Sequence, residues 1–152
     1  MASLALTVAC APAEPSSEAS ASASIDSLNK HLSDAYHQRD PAAYAALFTD
    51  SAEFEWPALA PVRGHVALAA MAKDIWAAER DVALRLRIDQ RRLATDHGTE
   101  FGAFEQSWTD SAGVRRTEFG RYATLFAKSA NGRWLMERFL GFEDSTRVES
   151  SK

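Results

Sequence analysis

The chain has 152 residues, of which 46% are hydrophobic and 25% are charged, and this balance is typical of one globular domain. With 17 Lys and Arg against 21 Asp and Glu the formal net charge is -4, so the basic field that nucleic-acid binding needs is missing. We therefore expect no nucleic-acid partner. The single cysteine, Cys10, excludes an intramolecular disulfide and a cysteine-rich zinc or iron–sulfur site. No motif indicates a metal or another cofactor.

The first 24 residues differ in composition from the rest of the chain. Residues 1–10 are small or apolar and end at Cys10, which resembles the end of a bacterial lipoprotein signal, where the cysteine receives the lipid. Residues 11–24 contain only Ala, Ser, Pro and Glu, so they have nothing to bury and predict a disordered linker. The alternative is a disordered tail with a chance cysteine. The signal hypothesis predicts a bacterial envelope lipoprotein, or a secreted or periplasmic protein, whose membrane contact is the lipid on Cys10.

Helical periodicity begins after this linker. Apolar residues recur on one stripe over residues 25–36 and predict an amphipathic helix. Asp40 followed by Pro41 is typical of an N-cap and a first helical position, so a short second helix should begin there. Alternation over residues 53–56 predicts a strand, and a third helix is predicted over residues 64–80.

Four long strand patterns fill the rest of the chain. Each separating turn carries a glycine, and Asn131-Gly132 is typical of a tight hairpin, so an antiparallel meander is the simplest topology. Helices that precede antiparallel strands define an α+β domain, which we expect over residues 25–144 with a disordered tail over 145–152. The predicted strands cover residues 82–95, 99–109, 114–128 and 133–143.

The third of these strands has apolar residues on both faces. Tyr122 and Phe126 alternate with Phe119 and Leu125 along it. Because helices can cover only one side of the sheet, another subunit is expected to cover the other side. The pattern predicts a homodimer through the convex face of the sheet.

Several local marks agree with one superfamily. They are Arg39-Asp40-Pro41, the run from Ala46 to Phe54, Arg63-Gly64 and the closing Asn131-Gly132-Arg133-Trp134. With these marks the chain resembles the nuclear transport factor 2-like superfamily, which includes ketosteroid isomerase, scytalone dehydratase and polyketide cyclases. It is most similar to the small proteins of unassigned role in that superfamily. The resemblance implies N-terminal helices packed on a strongly bent antiparallel sheet that forms a cone-shaped pocket, usually dimerised through the sheet.

The positions of the superfamily's catalytic groups hold other residues here. Trp56 stands before the proline that follows the first strand, where the isomerase has its Asp base. The positions of the isomerase's oxyanion hole hold Leu32 and Thr124. The dehydratase pairs a His with an Asp, but the four histidines of this chain fall in predicted helices and turns. Both chemistries are therefore disfavoured.

On the implied cone, the pocket is aromatic and mildly acidic. Glu118 and Glu137 are the candidate catalytic residues, with Glu105 as a third, because burial would raise the pKa of such a carboxyl and make it a general base. The alternative for these carboxylates is a structural ion pair with a neighbouring arginine. The alternative for the aromatic residues is ordinary packing in the core. The candidate ligand-binding residues are Tyr36, Phe54, Trp56, Trp76, Tyr122 and Phe139.

Three functions stay open at this stage. The leading hypothesis is an envelope-associated, non-catalytic domain that binds a small hydrophobic ligand in an apolar, aromatic-lined pocket. The alternative is a lyase, isomerase or cyclase that acts on a small hydrophobic carbonyl compound with a pocket Glu as base. The third is a partner-binding module that uses the sheet face. The missing base and oxyanion groups favour the first hypothesis.

Overall fold

The computed structural model describes residues 17–57 and 59–149, so the predicted signal and its Cys10 lie outside the described residues. The helices are α1 (Ser17–Gln38), α2 (Pro41–Ala45) and α3 (His65–Ala77). The strands are β1 (Phe48–Glu55), β2 (Val62–Arg63), β3 (Arg80–Leu93), β4 (His97–Thr109), β5 (Arg115–Lys128) and β6 (Trp134–Glu149). Within the described ranges, no helix is long and apolar enough to cross a membrane.

The strands form one curled, unclosed sheet in the order β2-β1-β6-β5-β4-β3. The antiparallel meander predicted for the last four strands is confirmed. Strand β1 joins the same sheet by running parallel to β6 and antiparallel to β2, so the sheet is mixed at this edge. Helix α1 packs against β3, and the predicted α+β architecture with a cone-shaped sheet is confirmed.

The helices form where the sequence patterns predict them. The predicted stripe of α1 is buried, including Ile25 and Leu32. At the start of α2 the Asp40 carboxylate accepts hydrogen bonds from the backbone N–H groups of Ala42 and Ala43, at 3.0 and 2.9 Å. This cap satisfies amides that have no partner inside the helix, and it fixes where α2 begins.

The first helix is longer than predicted. It begins at Ser17, so residues 17–24 are helical, which corrects the predicted linker over residues 11–24. The cause is tertiary: Arg91 of β3 donates hydrogen bonds to the backbone carbonyl and the hydroxyl of Ser22, at 3.1 and 2.8 Å. Composition alone does not show this contact, because the partners are far apart in the sequence.

The last strand is also longer than predicted. It continues to Glu149, so the predicted tail over residues 145–152 is strand as far as that residue. Strand β5 pairs with this extension, from Phe119 opposite Ser145 to Arg115 opposite Glu149. The extension therefore satisfies backbone groups of β5 that would otherwise lack strand partners.

Three glycines of the sheet, Gly102, Gly120 and Gly141, lie against aromatic rings, and the ring contacts are closest at the last two. Gly120 of β5 is the cross-strand partner of Phe104 of β4, and a Cβ at Gly120 would overlap the Phe104 ring. A Cβ at Gly141 of β6 would overlap the ring of Trp56 in the same way. Only glycine leaves this space, so both positions allow the rings to lie close to the sheet.

Candidate functional site

A cavity of about 240 Å³ opens between the helices and the sheet. Its walls come from α1, α2, α3, β1, β4, β5 and the segments that follow β1 and α3. A smaller hollow of about 20 Å³ shares Tyr36, Phe54 and Trp56 with the cavity and is also lined by Phe139. The residues around the larger cavity are Tyr36, Tyr44, Phe54, Trp56, Leu59, Met71, Ala72, Ile75, Trp76, Glu79, Gln106, Trp108 and Glu118.

The aromatic rings of the wall support one another. The ring of Tyr36 meets that of Trp76 edge-on, with the ring centres 5.2 Å apart. On the other side, Phe54 stacks on Trp56 at 6.2 Å. Trp108 lines the cavity but pairs with no other ring in the described part of the chain. Most of the wall is thus rigid and apolar, and one indole ring has no aromatic partner.

Two carboxyl groups line the same cavity. Glu118 lies on β5 opposite Gln106 of β4 and is 9% exposed. Glu79 lies between the end of α3 and the start of β3 and is partly buried. The Oε1 atom of Glu118 and the Oε2 atom of Glu79 are buried and have no hydrogen-bond partner among the described residues. Such atoms are rare in folded proteins because water is lost without replacement.

The backbone around Glu79 is held by an arginine. Arg39, which follows α1 with a φ of 51°, donates from Nη1 to the backbone carbonyl of Glu79 at 2.8 Å. The same nitrogen lies 3.4 Å from the carbonyl of Trp76. These contacts tie the end of α1 to the end of α3. The guanidinium thus binds the backbone at this point, while the buried Oε2 atom of Glu79 stays without a partner.

Burial shifts the titration of both carboxyls toward neutral pH. It raises the pKa of Glu79 to about 7. It also raises the pKa of Glu118 to about 7, and the negative charges of Glu143 and Glu79 add to this effect. Burial, with smaller contributions from Glu79 and Glu118, raises the pKa of Tyr36 well above its usual range. Near neutral pH, each carboxyl can therefore hold or release a proton while Tyr36 stays protonated.

The two predicted catalytic carboxyls lie in different places. Glu118 lines the cavity, but Glu137 is exposed, which corrects its expected position. Met136 pairs with Phe126 and Arg138 pairs with Leu125, so Glu137 is an extra residue in a β-bulge. The bulge breaks the strict alternation on which the expectation depended.

The other sequence candidates are only partly brought together. Tyr36, Phe54, Trp56 and Trp76 line the cavity, and Phe139 lines the smaller hollow. Tyr122 lines neither space; it stacks on Phe139 at 6.0 Å and donates its hydroxyl proton to Glu100 at 2.7 Å. Glu105 lies 3.6 Å from the exposed Arg85. The arginine pairing considered for Glu118 is not formed by its buried oxygen.

Glu79 was missed by the sequence reasoning. It falls at the end of the third helix, where a charged residue is usually solvated, and no motif distinguishes it. The only available signal is the apolar face of that helix, since Trp76 and Ala72 precede Glu79 by three and seven residues. That spacing would have placed Glu79 beside a buried surface.

Helices packed on a bent sheet around an aromatic cavity with buried carboxyls define a pocket protein of the nuclear transport factor 2-like superfamily. Residues 29–136 match the model of the SnoaL-like domain, and the chain belongs to that family. The predicted superfamily is therefore confirmed. Proteins with this fold are commonly ligand-binding proteins or enzymes of the isomerase and dehydratase types. No protein of curated function matches the sequence.

Solved structures with this fold have low sequence identity to the chain. A hexachlorocyclohexane dehydrochlorinase of type 2 has a TM-score of 0.78 at 13% identity, covering 90% of this chain and 93% of that one. A ketosteroid isomerase-like protein from Erwinia carotovora atroseptica has a TM-score of 0.72 at 22% identity, covering 81% and 95%. A third, from Planctomyces limnophilus, has a TM-score of 0.73 at 17% identity, covering 82% and 98%. At these identities the similarity shows the fold alone.

Proposed function

We propose that the protein binds a small, largely apolar molecule in the cavity and holds the polar group of that molecule with Glu118 and Glu79. One observation carries this proposal: two buried carboxyl oxygens without partners line one aromatic-walled space. A buried polar atom without a partner costs about 1–3 kcal/mol. A ligand that supplies hydrogen-bond partners removes this cost and buries its own apolar surface against the rings.

The size of the cavity limits the ligand. An apolar cavity of roughly 150 Å³ accommodates benzene. The cavity of about 240 Å³ therefore suits a one-ring molecule with a short substituent. The substituent would reach the carboxyl groups while the ring packs between Trp76 and Trp56.

Ligand titration of the full chain tests the binding proposal. Titration calorimetry with benzyl alcohol, phenol and 2-phenylethanol should show saturable binding. Ile75→Trp should block it, because Ile75 lines the cavity and is 38% exposed, so a larger ring can be placed there without rebuilding the core. Val66→Trp on the same helix is the matched control, since Val66 is 87% exposed and does not line the cavity. No binding to the wild-type chain, or equal binding by Ile75→Trp, contradicts the proposal.

A second candidate function is proton transfer on a small carbonyl compound, as in a lyase, isomerase or cyclase. It is supported by the pKa of about 7 of Glu118, which suits a general base near neutral pH. The ionised Glu118 would take a proton from the carbon beside the carbonyl. The electron pair of that C–H bond would form a carbon–carbon double bond while the π pair of the carbonyl moves to its oxygen, which gives an enolate. Solved relatives named for isomerase-like and dehydrochlorinase proteins share the fold.

Deuterium exchange tests this second candidate. In D₂O, protons of phenylacetone on the carbon between ring and carbonyl should exchange faster with the wild-type chain than in buffer, as followed by NMR. Glu118→Gln should abolish the excess rate, and Glu137→Gln, which removes an exposed carboxylate of the same type, should retain it. Exchange at the buffer rate with wild-type protein contradicts a proton-transfer function for this ketone class.

We further propose lipidation at Cys10, which would place the protein in the bacterial envelope. Globomycin treatment of producing cells should make an unprocessed precursor accumulate, and an unchanged band contradicts lipidation.

We also propose a homodimer through the convex face of the sheet. The dimer is supported by Phe101 and Phe142, which are 46% and 43% exposed on β4 and β6. Sedimentation at micromolar concentration should give twice the chain mass, and a monomer mass contradicts the dimer.

A further inference from the structure

We propose that the cavity selects an organic ammonium ion, specifically a one-ring molecule with a short alkylamine. This inference rests on the proposed binding function and names the polar group of its ligand. The cavity ends on the unpartnered oxygens of Glu118 and Glu79, and Glu118 is more than nine-tenths buried. Both groups can accept hydrogen bonds and both become negative when ionised.

The ionisable groups that give the cavity lining its charge are all acidic. Among the described residues that line the cavity there are two carboxyl groups and no Lys, Arg or His. An anionic ligand would be repelled by this lining. A neutral ligand can pair with the oxygens but leaves the charge of an ionised carboxylate buried without compensation. An ammonium group supplies both the hydrogen bonds and the opposite charge.

The nearby arginines already have other partners. Arg39 donates to backbone carbonyls at the end of α3. Arg115 donates to the backbone carbonyl of Asp81 at 2.7 Å and to the hydroxyl of Ser107 at 2.6 Å. Arg116 pairs with Asp110 at 2.8 Å. None of these guanidinium groups reaches the buried oxygens of the two cavity carboxyls, so no described arginine compensates them when they ionise.

The aromatic wall favours the same class of ligand. Tyr36, Trp76 and Trp108 line the cavity together with the two carboxyls. A cation over the face of a Trp or Tyr ring is attracted by the electrons of that ring, and the interaction is stronger where water is excluded. Trp108 packs partly against the core, stacks on no other ring among the described residues, and lines the cavity beside the two carboxyls.

An ammonium ligand should couple binding to pH. Ionised carboxylates bind the cation more tightly than protonated ones, so affinity should rise between about pH 5 and pH 8 as Glu79 and Glu118 lose their protons. The charged or titratable groups that face this pair are Tyr36 of α1 and Glu143 of β6, while Arg39 contacts the backbone of Glu79. Tyr36 stays neutral in this pH range, so the two cavity carboxyls dominate the effect.

Calorimetry with two probes of one shape tests the inference on the full chain. At pH 8, 2-phenylethylamine should bind at least about tenfold more tightly than 2-phenylethanol. Glu118→Gln and Glu79→Gln should each reduce this preference, and Glu137→Gln should leave it unchanged. Repeating the amine titration near pH 7 in buffers of different ionisation enthalpy should show protons released on binding.

The outcomes separate the two proposals. Equal or tighter binding of the alcohol overturns the ammonium inference while the binding function stands. Amine binding without proton release near pH 7, or with the preference intact in both Gln variants, also overturns it. If neither probe binds, the binding function itself fails for one-ring ligands. Circular dichroism of the Gln variants separates loss of binding from loss of fold.

Discussion

Two glutamates on neighbouring strands are both buried, but their surroundings differ. Glu100 of β4 is fully buried and accepts hydrogen bonds from Asn29 of α1 at 2.9 Å, Tyr122 of β5 at 2.7 Å and Arg91 of β3 at 2.7 Å. The buried oxygen of Glu118 on β5 accepts none. The first carboxylate is compensated by the protein's own groups, and the second faces a cavity.

This difference separates a structural carboxylate from a candidate binding group. Glu100 joins a helix and two strands through one charge, so its contribution is to hold α1 against the sheet. Glu118 makes no such connection through its buried oxygen. That oxygen loses its hydration on folding, and no hydrogen bond from a described residue replaces it. Burial alone would have marked both residues as equal candidates, whereas their hydrogen-bond partners distinguish them.

Removing the cation beside Glu100 should have the largest effect. Arg91→Met keeps an apolar side chain of similar length but leaves a buried charge without its partner, so we expect a loss of about 3–5 kcal/mol in the free energy of unfolding. Urea denaturation measures this loss. Arg85→Met on the same strand is the control, because Arg85 is 81% exposed and should change stability by less than about 1 kcal/mol. Equal effects of the two variants would refute a structural role for the Arg91–Glu100 pair.

Removing one neutral donor from Glu100 should have a smaller effect. Tyr122→Phe deletes only the hydroxyl that donates to the carboxylate, so we expect a loss of about 1–3 kcal/mol in the same measurement. The stacked contact with Phe139 is retained by the variant. A loss below about 0.5 kcal/mol would show that Asn29 and Arg91 suffice to satisfy Glu100.

The effect of Glu118 on stability should depend on pH, and its sign should be opposite. Its pKa is about 7 in the folded protein against an ordinary value of 4.5, so the folded state binds the proton more tightly than the unfolded chain. Stability should therefore fall as pH rises from about 4.5 to 7 and stay level above that range, and Glu79 should add to the decline.

Glu118→Gln tests this dependence directly. The variant should raise the melting temperature by a few degrees at pH 8 and change it little at pH 5, because the amide carries no charge to bury. Glu137→Gln changes an exposed residue, so the melting temperatures of this variant at pH 5 and pH 8 should differ by as much as those of the wild-type chain. A Glu118→Gln variant that melts lower at pH 8 would mean that the ionised carboxylate has a partner in solution.

The sequence predicts those features that depend on local patterns. The cap at Asp40 and the buried stripe of α1 follow from side chains a few residues apart. The position of Glu118 in the cavity agrees with the cone that the family resemblance implies. Glu137 was misplaced because a bulge interrupts the alternation of its strand, and a bulge is decided by pairing with another strand. Helical spacing from Trp76 places Glu79 beside a buried surface but does not show the cavity, because the cavity depends on how Arg39 holds the ends of α1 and α3 together.

The glycines beneath the aromatic rings also affect how the strands align. A shift of β5 by one residue along β4 would turn its inward side chains outward, so the hydrophobic pattern already disfavours it. A shift by two residues keeps every side chain on its face and is not excluded by that pattern. It would, however, set Phe104 opposite Glu118 or Tyr122 in place of Gly120, and neither leaves room for the ring. The close contact at Gly120 therefore selects one alignment during folding, and that alignment is the one that places Gln106 opposite Glu118.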